Sequence, residues 1–346
     1  MTVMKAIERA ILKTLVYASI FSYPLRPEEI CRYLVIDNPV DSEVVFRALK
    51  MMEADGNPVE PCRSPSGTIR TRLTGRFHGA GRIQAEEGYY FLSGQGEIVG
   101  LRKKREKWSQ EKVRKAKKVA KLLRLILTVK LVGISGGLAM NNADENDDID
   151  LFIVTAGGRL WLTRLLVTAL VELMGKRRQP FPKYKIHNTK YIIQDLICLN
   201  MFVDEDHLAI PLSERNLYTA HEVAQMKMLW DRDGMYQRFL VANSWVGDYL
   251  PNTLPAILNE APVILNEVKN LRDPSSASQR IQDDKVGQIG KFMNWFEKAL
   301  RVLQLKYMSR RRTTEKISPG RILFHPEEKG EWVMREWEKR CWKLGL

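Results

Sequence analysis

Two aspartates separated by one apolar residue, Asp148-Ile149-Asp150, are the residues of this sequence best suited to chemistry. They open an apolar segment that predicts a β-strand. Because side chains alternate along a strand, Asp148 and Asp150 should point the same way while Ile149 and Leu151 face the core. Two adjacent carboxylates repel each other unless a cation lies between them. Oxygen ligands of this kind suit Mg²⁺ or Mn²⁺, and Mg²⁺ is often shared with substrate phosphates.

A glycine pair lies one predicted strand earlier. Ser135, Gly136 and Gly137 follow the apolar segment 129–134, and residues 138–147 separate them from Asp148. Because glycine has no side chain to block a ligand, the backbone N–H groups of this turn could hold a phosphate, and the Ser135 hydroxyl adds a donor. An Asn- and Asp-rich turn before a buried strand, or a loose calcium loop, is the alternative interpretation of the acidic stretch.

The order of these motifs resembles the signature of the nucleotidyltransferase superfamily that includes DNA polymerase beta, and the resemblance directly covers about residues 130–205. It implies that Asp148 and Asp150 hold the metal and that Ser135, Gly136 and Gly137 bind the phosphates of an NTP. Relatives generally carry a third carboxylate on a later strand. Asp195 is the only acid inside the predicted strand 191–203 and is therefore the candidate for both a catalytic and a metal-binding role.

This resemblance implies an enzyme that transfers an NMP from an NTP such as ATP to a hydroxyl acceptor, which could be a nucleic acid. One departure from the family pattern is glycine, not serine, at the second small position, which removes a phosphate-binding hydroxyl. The alternative hypothesis is a winged-helix regulator that binds nucleic acid and carries an inactive, nucleotide-sensing domain. The order of elements along most of the chain also resembles bacterial proteins that combine a winged-helix start with a nucleotidyltransferase domain.

Composition favours an intracellular protein with an anionic partner. The chain has 346 residues and a net charge of +14, which favours nucleic acid, nucleotides or an anionic membrane surface. Its four cysteines are widely scattered and suggest reduced thiols. Neither a secretory signal nor a transmembrane segment is evident, which predicts a soluble cytoplasmic protein.

The first hundred residues resemble a winged helix-turn-helix domain, predicted over 1–100. Helical patterns at 4–20, from Pro27 and at 42–54 precede a short aromatic strand from Tyr89. A DNA-binding role would place the 42–54 helix in a major groove, although its charges are mixed; a protein-protein module is the other interpretation. The Gly-, Pro- and Arg-rich stretch 57–84 is either a basic wing or, as favoured here, a flexible insertion.

The remaining chain predicts an α+β protein with three further parts. A basic connecting helix over 101–128 leads into the α/β nucleotidyltransferase domain at 129–207, with the basic face near the proposed site. Residues 208–346 predict a helical C-terminal region, in which 259–286 resemble a translated bacterial repeat element and are expected to be a flexible insertion. Within 208–250 the predicted buried helical face includes Tyr218, His221, Met226, Met228, Leu229, Tyr236, Phe239 and Leu240.

Overall fold

The structure, a computed structural model, is a mixed α+β fold and describes residues 2–54, 82–178, 193–253, 284–309, 316–323 and 328–346. Most of the predicted insertion 259–286 lies outside the described residues, as do all but the last residues of the stretch 57–84, which was favoured as an insertion over a basic wing. The chain divides into two compact units, and both units are assembled from separated stretches of sequence.

The first unit comprises Met1–Lys104, Gly247–Thr253 and Trp332–Leu346. Three helices and an antiparallel two-stranded ribbon form its N-terminal part: α1 (Thr2–Ser19), α2 (Pro27–Arg32), α3 (Ser42–Ala54), β1 (Ile83–Glu86) and β2 (Tyr89–Leu92). Leu25 bridges to Tyr90 beside this ribbon. The predicted helices and aromatic strand are thus present at the predicted places.

The second unit comprises Arg105–Val246 and Leu254–Glu331. Most of the long helix α4 (Glu97–Leu123) belongs to this unit. The elements that follow α4 in chain order are β3 (Val129–Ile134), α5 (Gly136–Ala139), β4 (Ile149–Thr155), α6 (Leu160–Leu173), β5 (Ile197–Asp204), α7 (Leu217–Gln225), β6 (Lys227–Asp231), α8 (Met235–Ala242), α9 (Asp284–Ser309), β7 (Lys316–Ser318) and β8 (Arg321–Leu323). Helix α10 (Glu328–Lys343) begins in this unit and continues into the first. Among the described helices, none is long and apolar enough to cross a bilayer.

A six-stranded mixed sheet in the order β6-β3-β4-β5-β8-β7 organises the second unit. Strands β4 and β5 are parallel and are joined through α6, whereas every other neighbouring pair is antiparallel. Alternation along β4 separates two faces. Ile149, Leu151 and Ile153 enter the main core with α4, α6 and α9, whereas Phe152 packs against Phe239 of α8 with ring centroids 5.0 Å apart. Asp150 shares the face of Phe152.

The C-terminal region is less helical than the sequence predicts. Strand β6 lies inside the stretch predicted as helix, and its residue Met228 is substantially exposed, not part of a buried helical face. Because β6 pairs with β3 at the edge of the sheet, the apolar residues 228–230 satisfy a strand ladder in place of a helix. The hairpin β7–β8 also joins the sheet at β5, so three of its six strands come from the region predicted as helical.

Candidate functional site

The glycine turn follows the end of β3 and comprises Ser135 and the first two residues, Gly136 and Gly137, of the four-residue helix α5. Gly136 has a φ of +67°, which favours glycine, and a Cβ placed on it would lie 3.6 Å from Oδ2 of Asp150. The backbone N–H of Ser135 donates to the carbonyl of Asp150 at 3.3 Å. This turn therefore lies directly against the Asp150 carboxylate, as the sequence predicts for the two motifs.

Asp148 and Asp150 lie beside a cysteine thiol. Asp148 immediately precedes β4 and Asp150 is its second residue, so both side chains project from one side. Strand pairing places Asp150 opposite Cys198 of β5. One ligand atom from each of the three residues lies within 4.8 Å of the others. The sequence predicted the two aspartates, but it gave no indication of the cysteine because 198 is distant along the chain.

An arginine supplies the positive charge next to the aspartate pair. Nη1 of Arg178 contacts Oδ2 of Asp148 at 2.6 Å. The Arg178 backbone N–H donates to the carbonyl of Ile197, which fixes the residue beside the first residue of β5. Burial lowers the pKa of Arg178, but Asp148 and its hydrogen bond outweigh burial and leave the pKa above its usual value. Arg178 was missed from the sequence because it follows α6 in a basic run that resembles an ordinary helix end.

Burial strongly disfavours the charge on Asp150. Burial first, and the Asp148 charge second, raise the pKa of Asp150 to about 7, although a hydrogen bond with Cys198 acts in the opposite direction. Burial and the two aspartates also raise the pKa of Cys198, so its sulfur carries the proton of that hydrogen bond. Oδ1 of Asp150 is buried and has no hydrogen-bond partner in the described part of the chain. The site thus holds a buried carboxyl oxygen that accepts no hydrogen bond from the described residues.

This donor set fits a divalent cation through its carboxylate oxygens. Mg²⁺ and Mn²⁺ prefer hard oxygen ligands, and an unpartnered buried carboxylate oxygen is the kind of group such an ion satisfies. Cys198 is a softer ligand and is protonated here, so its sulfur does not fit Mg²⁺. Asp148 and Asp150 are the residues that would hold the ion.

Asp195 lies apart from this group, and its predicted position inside a strand is wrong. Strand β5 begins at Ile197, and Asp195 occupies the preceding turn with a φ of +60°. Its carboxylate pairs with Lys112 at 3.2 Å and with Lys115. Although burial alone would raise the pKa of Asp195, hydrogen bonds from the two lysines hold it below its usual value. Asp195 therefore balances the charge of two lysines on α4 and is not among the clustered ligand groups of the described chain.

A different acid, Glu222 of α7, reaches the glycine turn. Its side chain accepts the N–H of Gly136 and the O–H of Tyr218, which lies one helical turn earlier. Burial raises the pKa of Glu222, although Lys329 and these hydrogen bonds oppose that effect. The Glu222 charge also contributes to the raised pKa of Asp150. The sequence shows only an acid on an amphipathic helix, so nothing in it placed Glu222 at the site.

Helix α4 holds the loop that connects the glycine turn to the aspartates. One side of the helix contacts this loop at successive turns through Arg105, Ser109 and Lys112. The partners of these side chains are Asn142 Oδ1 for Arg105, the N–H of Ala143 for Ser109, and the carbonyls of Glu145 and Asp147 for Lys112. The predicted proximity of the basic helix to the site is thus present in the structure, but these side chains bind protein backbone and an amide.

Comparison of the chain with protein-family models, with curated proteins and with solved structures found no match. The site therefore has to be interpreted from its own geometry. Of the six residues predicted from the sequence, Gly136, Asp148 and Asp150 come together. Ser135 lies at the same turn, where its Oγ is 3.4 Å from Nδ2 of Asn200, and Gly137 follows it in α5.

Proposed function

We propose that this protein is a metal-dependent nucleotidyltransferase of the superfamily that includes DNA polymerase beta. The acceptor hydroxyl would attack the α-phosphorus of an NTP, so that the NMP is transferred to the acceptor oxygen and pyrophosphate and the hydroxyl proton are released. One observation carries the proposal: a glycine turn with a positive φ ends one strand and lies against a carboxylate pair on the next. A phosphate-binding turn and a metal-binding pair are both needed to hold a triphosphate. Their juxtaposition is unexplained if the acidic stretch is only a turn.

The residues would divide the work as follows. The N–H groups of the turn at Gly136 and Gly137, with the Ser135 hydroxyl, would orient the terminal phosphates, and Asp148 and Asp150 would hold Mg²⁺ or Mn²⁺. A bound ion would neutralise triphosphate charge and lower the pKa of an acceptor hydroxyl. Positioning supplies most of the acceleration in phosphoryl chemistry, so the fixed geometry of the turn and β4 is the protein's main contribution.

Two contacts must change when a triphosphate enters. Glu222 accepts the Gly136 N–H that a phosphate would use, and Arg178 contacts one oxygen of Asp148, which is a proposed metal ligand. Both groups would act as substitutes when no substrate is bound. The Glu222 carboxylate would occupy the position of a substrate phosphate, and the Arg178 guanidinium would occupy the position of the metal ion. After the contact with Asp148 breaks, the Arg178 guanidinium would bind a phosphate oxygen.

A second candidate function is a regulator that senses a nucleotide without turning it over. The contacts of Glu222 with the glycine turn and of Arg178 with Asp148 would favour this regulator if they persist when nucleotide is bound. We propose that α1–α3 with the β1–β2 ribbon form a winged helix, which could carry nucleic-acid binding. Its third helix exposes Glu43, Arg47, Lys50 and Glu53, a mixed set of charges that suits a protein partner as well as DNA.

Transfer of labelled nucleotide tests the proposal. The purified chain is incubated with each α-labelled NTP, Mg²⁺ or Mn²⁺ and a total cell extract, and labelled macromolecules and small molecules are separated. We expect the wild-type protein to transfer label to an acceptor, and we expect either substitution, Asp148→Asn or Asp150→Asn, to abolish this transfer. Asp195→Asn is the matched control and should retain transfer, because Asp195 pairs with Lys112 and Lys115. The absence of labelling from wild type, together with salt-sensitive DNA binding that both aspartate variants retain, would favour the regulator.

A further inference from the structure

Helix α9 exposes an apolar side to solvent. Trp295 is 63% exposed, and five large apolar residues share this exposure: Phe292, Trp295, Val302, Leu303 and Tyr307. At 3.6 residues per turn these positions fall on one side of the helix. Contiguous exposed apolar surface of this kind usually marks an interaction site.

The opposite side of α9 is fixed to the unit. Leu300 and Met308 are buried in the main core, and the Gln304 side chain is bonded to α6 through Arg164 and the carbonyl of Trp161. The Glu297 carboxylate accepts the N–H groups of Trp161 and Leu162 at the start of α6. The apolar side of α9 therefore faces outward because its other side is already used in packing.

Between residues 290 and 309, the exposed charged side chains of α9 are all basic. Lys291, Lys298 and Arg301 line one edge of the apolar side, and Lys306 lies within it. Glu297 is the one acid of the helix between 290 and 309, and its carboxylate is used at the start of α6. The surface formed by these apolar and basic residues of α9 is here called the α9 face.

We propose that the α9 face binds the surface of an anionic phospholipid bilayer, with the α9 axis along the membrane plane. Aromatic and aliphatic residues would enter the headgroup region while the lysines and arginine contact acidic headgroups. A second copy of the chain fits less well, because any two-fold pairing of this face would bury Lys306, which lies within its apolar side, and the described residues of the face include no acid to pair with it. Single-stranded nucleic acid fits less well too, because Val302 and Leu303 offer no ring for base stacking.

Vesicle sedimentation of the full chain tests this binding. The probes are vesicles of phosphatidylcholine alone and of phosphatidylcholine mixed with phosphatidylglycerol. We expect sedimentation with the mixed vesicles only, and at least a roughly tenfold loss of affinity in the Trp295→Glu, Leu303→Glu double variant. Trp342→Glu is the matched control, since Trp342 is an exposed tryptophan (82%) on helix α10 and lies outside the α9 face.

A second variant keeps the test independent of the apolar substitutions. Lys298→Gln with Arg301→Gln should weaken binding to the mixed vesicles by roughly fivefold for each charge. Failure of wild type to sediment with the mixed vesicles would overturn the proposal, as would equal losses for the double variant and the Trp342→Glu control. Two further results would also overturn it. One is that the wild-type chain forms a dimer without lipid and that the Trp295→Glu, Leu303→Glu variant is a monomer. The other is that these substitutions abolish RNA binding and leave lipid binding unchanged.

Discussion

At the scale of single residues, the two aspartates of the candidate site differ in how their charges are balanced. Asp148 has a guanidinium in contact, whereas Asp150 has a protonated thiol on one oxygen and a buried, unpartnered second oxygen among the described residues. An unbalanced buried carboxylate destabilises a folded protein once it ionises. Such a cost is common where a site awaits a ligand.

Removing the Asp150 charge should stabilise the metal-free protein at high pH. Below about pH 4 the carboxyl is protonated in folded and unfolded chains alike. Between about pH 4 and 7 the unfolded chain loses the proton while the folded chain retains it, so stability falls as pH rises and the full loss is reached above about pH 7. In a chelator, Asp150→Asn should therefore gain roughly 2–4 kcal/mol over wild type at pH 8, and little at pH 4.

Thermal unfolding across this pH range measures the gain. Asp233→Asn is the control, because its exposed carboxylate pairs with Lys130 and its pKa is lowered, so it should show no such gain. An Asp150→Asn variant no more stable than wild type at pH 8 would mean that another group already balances the charge of Asp150.

Glu222 should weaken the binding of anions at the glycine turn. Its carboxylate occupies the Gly136 N–H and adds negative charge there, so Glu222→Gln should bind ATP with Mg²⁺ roughly tenfold more tightly than wild type. Titration calorimetry measures this affinity. Glu145→Gln, which removes an exposed acid of the connecting loop, should change it little. Weaker binding by Glu222→Gln would instead make Glu222 a ligand-binding acid.

At the scale of elements, the basic helix α4 positions the loop between the two motifs. Lys112 is almost completely buried, and its ammonium group contacts two loop carbonyls and Asp195. The sequence predicted this helix and its apolar stripe, but periodicity does not reveal which lysine faces inward. The bond partners of Lys112 lie more than thirty positions further along the chain, beyond the reach of a local pattern.

Lys112→Met should therefore lower the free energy of unfolding much more than Lys115→Met. Loss of the buried ammonium leaves the carbonyls of Glu145 and Asp147 without this donor, and we expect a loss of about 3 kcal/mol in the free energy of unfolding. Lys115 also pairs with Asp195 but is 43% exposed, so its replacement should cost less than about 1 kcal/mol. Urea unfolding measures both, and equal losses would contradict the assigned role of Lys112.

Strands β3 and β4 were predictable because their apolar runs are bounded by clear turn residues. The part of the site that these two strands carry was predictable for the same reason. Ile149 and Leu151 are buried as alternation requires, and the glycine turn meets Asp150 as the motif order implies. Strand β6 was not predictable, because Met228 and Leu229 also suit a helical stripe and only the free edge of β3 selects the strand. Arg178, Cys198 and Glu222 join the site through tertiary contacts alone.

At the scale of the whole molecule, the α+β class follows from the alternating patterns, but the division into units does not. The sequence favours consecutive domains, whereas the first unit gathers segments from both ends of the chain and from Gly247–Thr253. Within that unit, Nε1 of Trp337 donates to the carbonyl of Lys13, and Arg340 donates to the hydroxyl of Ser19. The last helix thus completes the packing of the first.

Trp337→Ala should destabilise the first unit. Loss of its partly buried ring and of its bond to Lys13 should cost roughly 2 kcal/mol in the free energy of unfolding, measured by chemical denaturation. Trp342→Ala on the same helix should change stability by less than about 0.5 kcal/mol, because Trp342 is exposed. If the two variants unfold alike, α10 does not stabilise α1 through Trp337.

Metal-dependent binding of a triphosphate tests the central claim most directly. Wild type and an Asp148→Asn, Asp150→Asn double variant are titrated with each labelled NTP in Mg²⁺, in Mn²⁺ and in chelator, with Asp195→Asn as the control. We expect wild type and Asp195→Asn to bind in the presence of the metal ion, with binding lost in chelator and in the double variant. Binding by the double variant as tight as by wild type, or no metal-dependent binding by wild type to any NTP, would contradict the assignment of Asp148, Asp150 and the Gly136 turn as a nucleotide site.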